Sequence, residues 1–225
     1  MVATLVAASA PFIDWSWINT NSRVIIDAVG QHAELTGIAV GCGLALSLPV
    51  ALIAWRYRLT RSAILGFAGV LYTIPSLALF VLIQPLTGYF SLLTAEVALV
   101  GYTLLILVRN ILTGLDAATE EVREAATAMG YTPVGAMTRV YLPLALPSIF
   151  AGLRVATVTV VGLVTITAFI GGGGLGQVII TGFNQYFYTP IVVGLVLSVI
   201  LAAIGDAAFV ILERVVVRWD RSRIT

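Results

Sequence analysis

Residues 191–212 read IVVGLVLSVILAAIGDAAFVIL, an apolar run whose length decides the fold of this chain. Asp206 is its only charged residue. As an α-helix the run would extend about 33 Å, enough to cross the hydrocarbon core of a bilayer. Further apolar runs of similar length lie at residues 33–55, 62–82, 92–112 and 148–170. Because lipid offers the backbone no hydrogen-bond partners, such runs are predicted to cross the membrane as helices.

The composition excludes most soluble classes of protein. The chain has 225 residues, of which 60% are hydrophobic and 10% charged, and its formal net charge is +1. A soluble domain carries about 25% charged residues, so this chain lacks the polar surface of a soluble enzyme, a disordered protein or a nucleic-acid binder. Cys42 and His32 are the only residues of their types. An intrachain disulfide is therefore impossible, and a zinc site or a histidine-based catalytic triad has little support.

The positions of the arginines predict how the chain is oriented. All 12 basic residues are arginine, and only Arg23 precedes the first apolar run. With five spans and the N-terminus outside, every other arginine falls on the cytoplasmic side, in keeping with the positive-inside rule. The sequence therefore predicts an all-α polytopic membrane protein with five transmembrane helices, N-terminus outside and C-terminus inside. We expect residues 1–30 to form an external or interfacial segment, 31–213 the transmembrane domain and 214–225 a cytoplasmic tail.

The longest polar segment, residues 116–147, is predicted to form a helix-turn-helix. Thr119 is placed to cap the first helix, and Gly130 is placed to end it in a left-handed conformation. Thr132 and Pro133 then have the residue types of a cap and a first helical position. Apolar residues recur at helical spacing in both helices: Val122, Ala125, Ala126 and Met129, then Val134, Met137, Val140 and Tyr141.

This cytoplasmic segment has two possible roles. Pro143 and Pro147 are expected to break the second helix before the fourth span begins. The resulting hairpin either packs under its own membrane domain or offers a docking surface to a partner. The helical pattern alone leaves both roles open.

Seven residues of the segment follow a spaced pattern: Glu124, Ala125, Ala126, Gly130, Val140, Leu142 and Pro143. They resemble the EAA signature of binding-protein-dependent ABC transporter permeases, E-A-A-x3-G-x9-I-x-L-P. The chain departs from that pattern in one place, with Val140 for the usual isoleucine. The five-span core resembles the same family from about residue 32 onward.

The resemblance implies a function and a set of partners. In such permeases the hairpin docks in a cleft of a separate cytosolic ATPase subunit, and two ATPases drive two permease subunits between inward-open and outward-open states. The second permease subunit is the same chain or a sister chain. An external, periplasmic or lipid-anchored binding protein delivers the solute. ATP and magnesium belong to the ATPase, so this multi-pass protein of the cell membrane is expected to hold no cofactor, metal or catalytic site, and to bind no nucleic acid.

Three further stretches resemble one branch of these permeases. They are YTIPSLAL at residues 72–79, RNILTGL at 109–115 and AFIGGGGLG at 168–176. That branch carries quaternary-ammonium osmoprotectants: glycine betaine, choline, carnitine or proline betaine. The alternative is another small polar solute, such as an amino acid, carried by the same fold.

Two groups within the spans are candidates for functional roles. The first is a polar island in the second span, which is interpreted as part of the translocation path or as a plain packing kink: Tyr72, Thr73, Pro75 and Ser76. The second is Arg154 with Asp206, which are predicted to pair either as a static contact or as a gating or ion site. The glycine run at 171–176 fits the G-x-G-x-x-G spacing, but it follows a span and has no acid about 20 residues on, so it is interpreted as a structural or gating turn.

Two functions of other classes compete with an ABC permease. An intramembrane enzyme would need a nucleophile with a base at membrane depth, and the lone His32 near a span end serves this poorly. A secondary transporter would use Asp206, Glu34 or Glu96 for proton coupling. Dependence on ATP separates the permease from the secondary transporter.

Overall fold

The computed structural model describes residues 12–89 and 91–217, and every regular element within them is a helix. Most of the tail predicted at 214–225, with Arg218, Arg221 and Arg223, lies outside the described residues. The helices are α1 Trp15–Thr20, α2 Ser22–Arg56, α3 Arg58–Thr73, α4 Ser76–Thr87, α5 Leu92–Asp116, α6 Glu120–Ala128, α7 Pro133–Ala136, α8 Leu142–Thr167, α9 Gly174–Asn184 and α10 Tyr188–Val216. A π-helical turn, Met137–Tyr141, joins α7 to α8, and a 3₁₀ turn, Ala168–Ile170, follows α8.

Four helices of the described chain are long and apolar enough to span a membrane. They are α2, α5, the continuous helix Pro133–Ile170 and α10. A fifth candidate span consists of α3 and α4, which meet at an angle of 102°. The structure thus has five candidate spans if this bent pair is counted as one. The apolar run predicted at residues 62–82 therefore corresponds to this bent pair, and the bend falls within the polar island, for which a kink was one of the two interpretations.

Pro75 is the physical reason for this break. A proline has no N–H to donate, and its ring disfavours the helical conformation in the residue before it. Ile74 accordingly has extended dihedral angles, φ −66° and ψ 128°. The hydroxyl of Tyr102 on α5 donates a hydrogen bond to the Ile74 carbonyl, so α5 satisfies a backbone group that the break exposes.

The prediction of a break at Pro143 and Pro147 is wrong, because helix continues from Pro133 to Ile170. Pro143 stands in the first turn of α8, directly after the π-helical turn. In that wider turn the N–H of Leu142 donates to the carbonyl of Met137 five residues earlier. Prolines are tolerated in membrane helices where such local adjustments re-satisfy the backbone.

The hydrophobic core lies around α5, which packs between α2 and α8. The largest completely buried side chains of α5 are Leu99, Leu107, Ile111, Leu112 and Leu115. By contrast, α10 buries few of its residues: Thr189, Pro190, Gly194 and Ser198. Large apolar side chains of α3, α4 and α10 are exposed in the single chain, among them Phe67, Leu82 and Leu195.

Contacts at the helix ends define two ends of the bundle. At the arginine end, Arg61 at the start of α3 forms an ion pair with Asp116 at the end of α5, with Nη2 and Oδ2 2.7 Å apart. At the glycine end, the N–H of Asp14 donates to the hydroxyl of Thr189 on α10, 2.8 Å away. The glycine run after α8 lies at this second end.

The close approach of α5 and α8 leads to a prediction about stability. A Cβ added at Gly114 would lie 2.7 Å from the carbonyl oxygen of Ala145 on α8, whereas one added at Gly101 of the same helix would have no neighbour within 4 Å. We expect Gly114→Ala to lower the free energy of unfolding by about 1–3 kcal/mol, because the two helices must separate. Thermal unfolding of the purified protein in detergent measures this, with Gly101→Ala as the control. Equal melting temperatures for the two variants would contradict the packing described.

Candidate coupling and translocation sites

The predicted hairpin is present as α6, a turn at Gly130 and α7. Gly130 has φ +78°. The N–H of Gly130 donates to the carbonyl of Thr127 (2.9 Å), and that of Tyr131 donates to the carbonyl of Ala126 (3.1 Å). This pair of hydrogen bonds is a Schellman motif, which ends a helix with a left-handed residue and favours glycine there.

The first arm of the hairpin, α6, and its second arm, α7, are capped differently at their N-termini. Thr119 occupies the N-cap position of α6, but its hydroxyl makes no capping bond to the helix backbone. Its hydroxyl instead hydrogen-bonds the carboxylate of Glu121, and this contact holds the pKa of Glu121 below its usual value. In the second arm Pro133 is the first helical residue, and the hydroxyl of Thr132 accepts from the N–H of Gly135 (3.1 Å).

The hairpin leaves apolar side chains uncovered at its turn. Met129 is 67% exposed, Tyr131 36% and Val134 73%. We call these three residues the hairpin tip. The predicted apolar stripes therefore do not pack wholly against the bundle: of their members, Ala125, Met129 and Val134 are exposed. An uncovered apolar tip of this kind is typical of a surface that a partner covers.

The EAA residues are distributed between the exposed surface of the hairpin and the core. Glu124 and Ala125 are exposed, and no ion pair of Glu124 is present within residues 12–89 and 91–217. Ala126 is buried. Val140, Leu142 and Pro143 are half-buried in the π-helical turn and the start of α8. The motif therefore connects an exposed carboxylate to the first turns of a membrane-spanning helix.

Trp55, near the end of the first span, contacts the first arm of the hairpin, α6, and the π-helical turn that follows its second arm, α7. The guanidinium carbon of Arg123 on α6 lies 4.8 Å from the centre of the Trp55 ring. The ring of Tyr141, at the end of the π-helical turn, lies 5.6 Å from the same ring. A tryptophan near a span end is typical of an interfacial anchor, and nothing in its sequence position indicates these two contacts.

The polar island of the second span lies on the surface of the single chain. Tyr72, Thr73 and Pro75 are exposed, and Ser76, the first residue of α4, is half-buried. The Tyr72 ring meets the ring of Tyr102 edge-on, with centroids 5.8 Å apart. Three of these four side chains are thus open to the outside of the single chain. A pathway that uses them needs a second wall.

Arg154 of α8 and Asp206 of α10 form a two-point ion pair. The Nε of Arg154 donates to Oδ1 of Asp206 (2.7 Å), and its Nη2 donates to Oδ2 (3.1 Å). Their side chains are 39% and 33% exposed. A forked contact of this geometry fixes both side chains and links two candidate spans. No hydrogen bond or ion pair joins this pair to the polar island within the described residues.

The glycine run forms a turn that α2 holds from the side. Gly171, Gly173 and Gly174 all have positive φ, between 65° and 79°. The side-chain amide of Gln31 donates to the carbonyl of Gly172 (3.3 Å) and accepts from the N–H of Gly174 (2.9 Å). These hydrogen bonds hold the loop after α8 against the first span. They account for the glycine run as a structural turn, without a nucleotide-binding site.

The buried His32 makes further hydrogen bonds between α2, α8 and the start of α9. Its Nδ1 accepts from the N–H of Leu175 (3.3 Å). Its Nε2 lies 3.0 Å from the carbonyl of Val161 on α8 and donates to it. Both ring nitrogens are therefore engaged by backbone groups, which leaves His32 no free nitrogen to act as a base for an intramembrane enzyme.

Comparison with known proteins identifies the family. The family described as "binding-protein-dependent transport system inner membrane component" matches residues 37–218. The chain is 34% identical over 199 residues to the glycine betaine/carnitine/choline transport system permease protein OpuCB of Bacillus subtilis, covering 88% of this chain and 91% of that protein. It is 34% identical over 190 residues to the osmoprotectant import permease protein OsmW of Salmonella typhimurium, covering 83% and 88%.

A solved structure has the same fold. The MetNI methionine ABC transporter, in inward facing conformations, contains a chain that superposes with a TM-score of 0.74 and is 26% identical in sequence. The superposition covers 85% of this chain and 95% of that one. This chain is therefore a member of the family of binding-protein-dependent transport system inner membrane components.

Proposed function

We propose that this chain is the permease subunit of an ATP-driven importer that carries a quaternary-ammonium osmoprotectant across the cytoplasmic membrane. The solutes of this class are glycine betaine, choline, carnitine and proline betaine. The observation that carries the proposal is the similarity along nearly the whole chain to relatives named for glycine betaine, carnitine and choline transport. The chain itself is not an enzyme, since ATP hydrolysis in such systems takes place in separate ATPase subunits that hold ATP and magnesium.

The hairpin of α6 and α7 is proposed to couple the permease to its ATPase. Three features support this role: the uncovered apolar tip, the exposed carboxylate of Glu124, and the continuous helix from Pro133 to Ile170. A helix without a break transmits a displacement of the hairpin along its whole length into the membrane domain. Trp55 adds a second connection, from the hairpin to the first span.

The translocation path is proposed to form between two permease subunits. The polar residues beside the broken span are exposed in the single chain, and the exposed faces of α3, α4 and α10 are mainly apolar. A second subunit, the same chain or a sister chain, would cover these faces and supply the missing wall. An external binding protein would deliver the solute at the glycine end, and an ATPase would dock on each hairpin.

This proposal requires a defined orientation, which leads to a prediction. A reporter fused after Arg61, after Gly130 or at the C-terminus is expected to be cytoplasmic, and one near Gly88 or Gly174 external. The physical reason is the concentration of arginine at one end of the helices. Paired phosphatase and fluorescent-protein fusions measure it. An external Gly130 fusion would remove any contact with a cytosolic ATPase and refute the proposal.

Uptake of labelled solute tests the substrate class. In a strain that lacks this chain and other osmolyte systems, uptake of labelled glycine betaine and choline after an osmotic upshift is expected to be lost, and to return with the wild-type gene. Unchanged uptake in the deletion strain would defeat the substrate assignment while leaving the family membership intact.

Two other functions have one supporting observation each. The likeness in fold to the methionine transporter favours an amino acid or a methionine-like solute on the same machinery. The carboxylate oxygens of Glu96 on α5 are buried with no hydrogen-bond partner in the described chain, a feature that would suit proton coupling. Asp206 suits it less well, because Arg154 occupies both of its carboxylate oxygens.

A further inference from the structure

A cavity of about 530 Å³ opens at the arginine end, where α2 ends and α3 begins. It lies directly between the first two candidate spans and the first arm of the hairpin. Its lining consists of three arginines, two aromatic residues and one leucine: Arg56, Arg58, Arg123, Trp55, Tyr57 and Leu59. Trp55 and Arg123, which connect the hairpin to the first span, form one wall of this cavity, whereas Arg56, Tyr57, Arg58 and Leu59 have no part in the proposed coupling or the translocation path.

The cavity has a strong positive charge. None of its lining residues is acidic. In residues 12–89 and 91–217 the arginines that pair with acids are others, Arg61 with Asp116 and Arg154 with Asp206. Three guanidinium groups facing one space without a carboxylate repel one another, and an anion placed among them would relieve that repulsion.

Two of the arginines are already held in place. Arg123 donates from Nε to the carbonyl of Ala118 (3.1 Å) and stacks over Trp55, so its two terminal nitrogens remain available. The guanidinium carbon of Arg56 lies 5.9 Å from the centre of the Tyr57 ring. A planar guanidinium fixed in this way presents a fork that matches the oxygens of a phosphate.

The surroundings of the cavity indicate where its anion comes from. Leu59 is 96% exposed and Tyr57 60% exposed, beside the arginines. An uncovered leucine next to cationic side chains, at the end of a membrane span, is typical of the boundary between lipid headgroups and acyl chains. A free anion in water would gain nothing from Leu59, whereas a lipid would contact both the leucine and the arginines.

We propose that this cavity binds the phosphate headgroup of an anionic phospholipid, with Arg56, Arg58 and Arg123 as donors and Leu59 against an acyl chain. The site requires only that the chain spans the membrane. Its test therefore does not depend on which solute is carried or on whether the hairpin couples to an ATPase. Each arginine near an anionic membrane surface is worth about a fivefold preference for the charged lipid.

Fluorescence quenching of Trp55 tests the site directly. The full-length chain, with Trp15, Trp17 and Trp219 replaced by phenylalanine, is placed in nanodiscs that contain either dibrominated phosphatidylglycerol or dibrominated phosphatidylcholine. We expect phosphatidylglycerol to quench Trp55 at a several-fold lower mole fraction. Arg56→Gln with Arg58→Gln is expected to reduce this preference at least about fivefold, because it removes two charges and keeps the Arg123 stack.

Matched controls make each result decisive. Arg23→Gln, which removes an exposed arginine from the opposite end of α2, is expected to leave the preference unchanged. Arg56→Lys with Arg58→Lys is expected to retain most of it, which separates loss of charge from loss of fold. An unchanged preference in the double glutamine variant would overturn the proposal.

Two further measurements distinguish a lipid headgroup from other sources of the anion. Millimolar inorganic phosphate is expected not to relieve quenching by phosphatidylglycerol, and full relief would assign the cavity to free phosphate instead. Addition of the partner ATPase is likewise expected to leave quenching intact. Loss of quenching on ATPase binding, with lipid preference restored on its removal, would make the cavity a protein contact and overturn the lipid assignment.

Discussion

Replacing Gly130 by valine is expected to abolish solute uptake while the chain remains inserted in the membrane. Gly130 has φ +78°, where a β-branched side chain costs about 1–3 kcal/mol. The Schellman turn would therefore open, and the hairpin tip would lose its position relative to Glu124. The ATPase is expected to hydrolyse ATP without the stimulation that a loaded binding protein produces in the wild type.

Gly30→Val is the matched control for this variant. Gly30 lies on α2, is exposed, and a Cβ added there would have no neighbour within 4 Å. It makes the same change of residue without the positive φ, and its uptake is expected to stay near that of the wild type. Wild-type uptake by a well-expressed Gly130→Val chain would contradict the coupling role of the hairpin.

Removing one partner of the Arg154–Asp206 pair is expected to lower the amount of folded protein in the membrane several-fold. Asp206→Ala would leave Arg154 without its carboxylate on a membrane-spanning helix, where an unpaired charge is costly. Partial exposure of both side chains reduces this cost, since water or headgroups reach the remaining charge. Quantitative blotting of the membrane fraction measures the loss.

The double variant Arg154→Met with Asp206→Leu separates a static pair from a gating one. With both charges absent no unpaired group remains, so a static contact predicts that membrane level and uptake both recover. We expect that recovery. A double variant that inserts at the wild-type level but transports nothing would contradict the static interpretation and assign the pair to gating.

The helical fold could be predicted from the sequence because hydropathy and length act locally. The four unbroken spans coincide with apolar runs at the predicted places, although α2 begins at Ser22, well before the run at residues 33–55. A kink in the second span was one interpretation of its polar island, but the size of the bend, 102°, could not be predicted. Pro75 marks its position, but the angle depends on how α4 packs against α5 and on the hydrogen bond from Tyr102.

Parts of the candidate site were also beyond sequence reasoning. The left-handed Gly130 turn follows from glycine's freedom at positive φ and was predictable. The role of Trp55 was not, because Arg123 and Tyr141 reach it only through tertiary packing. Helical periodicity placed Met129 and Val134 on apolar stripes, but it does not say whether the surface they meet belongs to this chain or to a partner.

ATP-driven transport in a reconstituted system tests the central claim most directly. Proteoliposomes would contain the ATPase and two permease subunits, this chain with a second copy or with a sister chain. The binding protein and labelled glycine betaine or choline would be on the glycine-end side. The account predicts accumulation of the solute with ATP on the hairpin side, and none with a proton gradient in the absence of ATP. Accumulation driven by the proton gradient alone would contradict it and favour an ion-coupled transporter.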